Sequence, residues 1–122
     1  MDDSDERIVP TLGSKLIERA DEVYSPRLKM NFRSLYEMYV AHVMKDWGFL
    51  FAYETWAFYL SNGKIYIPDF LVLGHECFVE VKGKWSIGGK KKLGVFREDF
   101  PHLELLVLPW TLRHDFFPEE TR

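Results

Sequence analysis

Cysteine is almost absent from this sequence. Among 122 residues there is one, Cys77, so no intrachain disulfide can close, and no Cys/His set has the spacing of a zinc site. Long apolar runs are absent too: nothing approaches the roughly 20 residues that cross a bilayer. The opening "MDDSDER" is acidic where a secretory signal would be positive. These absences give the expectation of a cytoplasmic protein in a reducing setting, with no membrane partner. There is no internal repeat, and no low-complexity tract beyond the acidic start. No phosphate-binding loop, dinucleotide-binding glycine motif or nucleophile elbow is present. An excess of positive charge is also lacking, with 16 Lys and Arg against 19 Asp and Glu and a net charge of −3. A chain that grips phosphates over its whole surface would show the reverse.

What the sequence does have is apolar and aromatic content, at 47% and 16%. That is enough for one hydrophobic core, and the length suits a single domain. The charge is unevenly placed. Residues 1–22 carry seven acids and three bases, residues 113–122 three acids and two bases, and the middle, 23–112, eleven bases and nine acids. Within 81–97 stand Lys82, Lys84, Lys90, Lys91, Lys92 and Arg97 with no acid between them. This is a local basic patch in a chain that is acidic overall. The expected organisation is an acidic N-terminal arm over 1–30, helical or serving oligomerisation, a domain over 31–112, and an irregular tail over 113–122.

Periodicity supplies the elements. The stretch 13–24 can form a helix, and Ser25-Pro26 suits an N-cap followed by a proline in the first helical position. From Phe32 through Trp47 apolar residues recur every three or four positions, with Gly48 placed to end a helix. "FLFAYETWAFYL" (49–60) reads as a strand, Ser61-Asn62-Gly63 as a hairpin turn, and "KIYIPDFLVL" (64–73) as a second strand. "CFVEVKG" (77–83) is a third strand, completing an antiparallel meander. Residues 87–100 read as a helix interrupted by glycines and bounded by Pro101, and 102–110 as a last strand. The order α-β-β-β-α-β implies an α/β (α+β) domain with a mixed sheet flanked by helices.

Three charges interrupt the apolar strands: Asp69, Glu80 and Lys82. Side chains two apart share a face of a strand, so Glu80 and Lys82 point one way with Phe78, and Val79 and Val81 the other. Pro68 removes a ladder donor, which predicts a disturbed strand at Asp69, and a meander brings Asp69 beside Glu80. Adjacent carboxylates repel unless a cation lies between them, and Mg2+ or Mn2+ takes oxygen ligands of this kind. Glu37, at the margin of the helical stripe near Arg33 and Ser34, is a third acid within reach. Each feature has a plain alternative: an exposed Glu80–Lys82 pair, an ordinary edge strand at Asp69, a Ser34-x-x-Glu37 capping box, and a solvated helix face for the lysine run. His42, His75, His102 and His114 are scattered without an evident partner.

Glu on a first helix, then Pro-Asp, then Glu-x-Lys resembles the PD-(D/E)xK nuclease superfamily. The blocks "FRSLYE" (32–37), "YETW" (53–56), "YIPDFL" (66–71), "FVEVKGKW" (78–85), "KKKLGVFRE" (90–98) and Pro101-His102-Leu103-Glu104 resemble, in order, phage endonuclease I, a Holliday junction resolving family within it. The Asp69–Glu80 spacing is one residue longer than that family's pattern, and residues 1–30 have no counterpart in it. The resemblance implies a restriction-endonuclease-like fold and a metal-dependent DNA endonuclease acting on branched DNA as a homodimer. It implies Glu37, Asp69, Glu80 and the Val81 carbonyl as metal ligands for Mg2+ or Mn2+, and Lys82 as the catalytic lysine. Arg33, Ser34, Lys84, Lys90, Lys91 and Lys92 are implied to contact DNA. The alternatives are a same-fold nuclease for single-stranded or nicked DNA, or one serving transposition or packaging, and a non-catalytic DNA-binding module.

Overall fold

A helix starts where Ser34 can cap it. Helix α1 (Leu35–Asp46) begins with the Ser34 hydroxyl accepting from the Glu37 amide at 3.1 Å, and it ends before Gly48, whose φ of +83° suits glycine. Its stripe of Tyr36, Val40, Ala41 and Met44 is buried. The helix is shorter than its apolar period: Phe32 pairs with Val23 in a strand instead, and Ser34 caps the helix two residues later. The protein is described by a computed structural model covering residues 5–12 and 22–119.

Before α1 come three short strands, β1 (Ile8–Pro10), β2 (Val23–Ser25) and β3 (Met30–Phe32), the last two an antiparallel hairpin. Ser25-Pro26 therefore starts a turn and not a helix: the Ser25 hydroxyl accepts from the Leu28 amide at 3.1 Å, and the fixed φ of proline serves a turn equally well. The expected helix over 13–24 falls mostly outside the described residues, and Val23 and Tyr24 are extended.

After α1, the four-stranded sheet runs in the order β4 (Phe51–Tyr53), β7 (Phe70–Val72), β8 (Cys77–Lys82) and β9 (Glu104–Pro109). The first three are antiparallel, and β9 returns parallel to β8 after helix α2 (Ile87–Asp99). This is the expected α+β fold with a mixed sheet. The strands are more broken than their apolar pattern suggests. Residues 49–60 divide at Glu54 (φ +50°) into β4 and β5 (Trp56–Tyr59). Residues 64–73 divide around Pro68 into β6 (Ile65–Tyr66) and β7. A second sheet, β1-β5-β6, takes the severed halves, with the Asn62-Gly63 turn joining β5 and β6 as expected. Helix α2 is continuous through its glycines, capped by Ser86, whose hydroxyl accepts from the Gly89 amide at 2.9 Å.

Strand alternation divides the interior in two. Val79 and Val81 face a cluster with Tyr36, Val40, Met44, Phe70 and Leu108 under α1. Phe78 faces Phe58, Phe96 and Phe100 under α2, where Phe58 and Phe96 meet edge to face at 4.9 Å. The C-terminal stretch is packed where fraying was expected. Trp110–Asp115 form a 3₁₀ helix, and Phe117 beyond it is buried 5.7 Å from the Tyr36 ring. His42 also has a partner after all, Ser25 at 2.8 Å, and burial lowers its pKa. Among the described residues no helix is long and apolar enough to cross a membrane.

Candidate active site

Strand β8 places Glu80 and Lys82 on one face, and their side chains pair at 3.2 Å, as the two-residue spacing requires. Pro68 leaves Asp69 just ahead of β7, and the Asp69 carboxylate does what a strand backbone would have done. Its Oδ2 accepts from the Val81 amide at 2.7 Å, beside Glu80. Asp69, Glu80 and Lys82 open into a cleft of about 1080 Å³ between the sheet and the start of α2, also lined by Arg33, Glu54, Tyr66, Ser86, Gly89, Lys91 and Lys92.

Two tyrosines hold two of the acids. Tyr66 donates to Glu80 Oε1 at 2.7 Å, and Tyr53 donates to Glu37 Oε1 at 2.7 Å. Glu37 Oε2 accepts from the Ser34 hydroxyl at 2.8 Å, so both of its oxygens are engaged. The capping box thus exists in altered form: Glu37 answers the Ser34 hydroxyl rather than its amide. Burial raises the pKa of both tyrosines, with the charges of Glu80 and Glu37 adding to it, so each stays a hydroxyl donor.

The acids carry more negative charge than their surroundings balance. Burial, reinforced by the charges of Glu80 and Glu37, pushes the Asp69 carboxyl well above its ordinary range, against the opposing Val81 amide. Burial also raises Glu37, opposed by Tyr53 and Ser34 and assisted by Glu54 and Glu80. Among the described residues no group of three His, Cys, Asp or Glu side chains is gathered closely enough to enclose a metal ion. The donors are nevertheless all oxygens, and a buried carboxylate crowded by two others gains from a cation beside it. The set suits a hard divalent ion of the Mg2+ or Mn2+ type.

Of the residues singled out by sequence, Arg33, Asp69, Glu80, Lys82, Lys91 and Lys92 line the cleft. Glu37, Ser34, Val81, Lys84 and Lys90 are not on its wall. Lys90 stands 5.8 Å from the Trp85 ring, which also carries Lys82 at 5.6 Å. Sequence reasoning missed Tyr53, Tyr66 and Glu54. Glu54 is 5% exposed and pairs with Arg33 Nε at 2.7 Å. The signal was available: Glu54 interrupts an apolar strand just as Asp69 and Glu80 do.

Residues 21–112 match the family model of phage endonuclease I, so the match reaches back over 21–30, a stretch that was expected to have no counterpart. Over 80 residues the chain is 36% identical to "Endonuclease I" of Escherichia phage T7, covering 63% of this chain and 53% of that protein. Over 77 residues it is 36% identical to "Endodeoxyribonuclease 1" of Enterobacteria phage T3, covering 61% and 50%. The chain spans about half the length of these curated relatives. No solved structure matches it significantly. With the family model covering most of the sequence, the chain belongs to the phage endonuclease I family.

Proposed function

We propose that this protein is a metal-dependent DNA endonuclease, selective for branched DNA. The observation that carries this reading is the meeting of Asp69, Glu80 and Lys82 at one end of a cleft whose wall bears Arg33, Lys91 and Lys92. Asp69 and Glu80 would hold Mg2+ or Mn2+ from the cleft wall, and Glu37, whose oxygens Tyr53 and Ser34 engage, and the Val81 carbonyl would have to turn toward the ion to join them. Such an ion, when bound, would supply a more acidic water and positive charge beside the scissile phosphate. Lys82, which leans on Glu80, orients the attacking water and meets charge developing on a phosphoryl oxygen. The water oxygen bonds to phosphorus as the bond to the 3′ oxygen breaks; the water gives up a proton to solvent and the leaving 3′ oxygen takes one from solvent, leaving a 5′-phosphate and a 3′-hydroxyl. Arg33, Ser34, Lys84 and Lys90 to Lys92 contact the DNA backbone. Their contacts read phosphate rather than bases, so binding weakens steeply with salt and ignores sequence.

The working form is a homodimer, since resolving a junction takes two cuts and hence two sites, and the single reduced Cys77 suits the host-cell cytoplasm. The test offers a four-way junction, a fork, a nicked duplex, a single strand and plain duplex, with Mg2+ or Mn2+. Cleavage of the junction well ahead of the rest is expected. Preferential cutting of single-stranded or nicked DNA would replace the branched-DNA reading. No cleavage, with no Mn2+ binding by calorimetry, would identify a non-catalytic binding module.

A further inference from the structure

Glu54 has no part in the chemistry just described, yet it lines the same cleft and pairs there with Arg33. Glu54 sits at the break between β4 and β5, in the left-handed region at φ +50°, where a non-glycine residue is strained. Its backbone is fixed from both sides. The Glu54 amide donates to the Asp69 carbonyl at 2.9 Å, and its carbonyl accepts from the Thr11 hydroxyl at 2.7 Å. A strained position persists where its surroundings over-determine it, and such positions gather at functional sites.

The side chains differ in exposure. Glu54 is buried at 5%, whereas Arg33 keeps 35% of its side chain open. The Arg33 backbone amide donates to the Tyr53 hydroxyl at 3.0 Å, the same hydroxyl that donates to Glu37. Arg33 is therefore held at its backbone beside Glu37, and its Nε lies in ion-pair contact with Glu54 without a hydrogen bond between them. A guanidinium has five N–H donors in a planar fork. The ion pair reaches it through Nε, and the open part of the side chain faces the cleft.

We propose that Glu54 is a positioning residue that aims the Arg33 guanidinium at a backbone phosphate of the DNA bound in the cleft. The inference rests on the nuclease reading above. A long side chain left to roam loses rotamer entropy on binding, and a fixed fork has already lost it.

The test compares the unaltered protein with Glu54→Gln, Arg33→Ala and the double variant. A four-way junction is bound in EDTA, so that affinity is read without cleavage, and cut in Mg2+ in a second series. The unaltered protein must cut the junction for the nuclease reading to stand. Glu54→Gln is expected to weaken junction binding about tenfold, within the strength of one charge-assisted phosphate contact. The double variant should be no weaker than Arg33→Ala within about twofold, since residues acting as one unit are not additive. Glu54→Gln and Arg33→Ala should each lower the salt slope of binding by about one, and in cleavage the loss should fall on KM more than on kcat. If Glu54→Gln does not fold, Glu54→Asp, which withdraws the carboxylate by one methylene, takes its place with the same expectation. An unaltered protein that cuts, beside a Glu54 variant that binds as tightly as it does, overturns this inference alone. So does a Glu54 loss of equal size with and without Arg33, which would assign Glu54 a direct role. Absence of any junction binding by the unaltered protein overturns both readings.

Discussion

Strand β8 has two ends that do opposite things with one face. At Phe78 the face packs against Phe58 and Phe96 in a buried aromatic cluster, and two and four residues further on Glu80 and Lys82 turn the same face into a charged cleft. The aromatic end needs only shape and apolarity. The charged end survives burial because each carboxylate is given a named donor: Tyr66 and Lys82 for Glu80, and the Val81 amide for Asp69. Tyr66 joins the two regimes. Its ring packs 5.0 Å from that of Phe96 while its hydroxyl holds Glu80.

Breaking the charged end alone should remove activity and leave the fold. Lys82→Ala is expected to lower the single-turnover cleavage rate by about 1,000-fold or more, the scale seen when a transition-state charge loses its donor. Its melting temperature should stay near that of the unaltered protein, because the Lys82 side chain is partly exposed. A Lys82→Ala protein that cuts within tenfold of the original would remove lysine from the mechanism. Breaking the aromatic end should do the reverse. Phe96 is fully buried and touches Phe58, Tyr66, Phe78 and Phe100. Phe96→Ala should cost about 3–5 kcal/mol in urea unfolding through lost contacts and the cavity left behind.

The joint between the ends should show a mixed but smaller effect. Tyr66→Phe deletes one hydroxyl and keeps the ring, so the aromatic packing stays. Glu80 loses the donor that fixes one of its oxygens. Loss of such a supporting contact typically costs about 10- to 100-fold in metal affinity or rate. Calorimetric titration of Mn2+ alongside cleavage kinetics checks this. Unchanged Mn2+ affinity and rate, with only a lower melting temperature, would reduce Tyr66 to a core residue.

How far all this was legible from sequence differs between the two regimes. The alternation of Phe78, Val79, Glu80, Val81 and Lys82 gave the two faces of β8 correctly, because period-two geometry admits no other arrangement. Asp69 was placed beside Glu80 by the proline before it and the meander around it. The break at Pro68 was legible from the missing ladder donor, but the break at Glu54 and the transfer of β5 and β6 to a second sheet were not. Apolar runs look alike whether or not the backbone turns within them, and a positive φ at a glutamate has no sequence signature. Glu37 shows the complementary limit. Sequence located it on the first helix near Ser34, but only the structure shows both its oxygens held, by Tyr53 and Ser34. Those partners lie 16 residues after it and three before it, and only the nearer has a spacing rule.

The charged end also bears on stability, in a way pH can expose. Burial first, and then Glu80 and Glu37, raise the Asp69 carboxyl well above its ordinary value of 3.8. The folded protein therefore holds this proton to higher pH than the unfolded chain does. Stability from this group is complete below the ordinary carboxyl value and is lost as pH rises through the raised one. Surface acids act in the opposite sense at lower pH: Asp5 is held at about 2 by hydrogen bonds from Arg7, and Asp46 is lowered by Arg27. Metal-free protein should thus lose this contribution as pH rises through the raised Asp69 value. Asp69→Asn keeps an oxygen for the Val81 amide and has no charge to bury, so at neutral pH it should melt higher than the original and lose most of this dependence. Calorimetric melting in EDTA between about pH 5 and pH 8 measures the slope directly. Unaltered protein that gains stability steadily across that range, or an Asp69→Asn variant that melts lower at neutral pH, would show that the cleft's negative charge is already balanced without a cation.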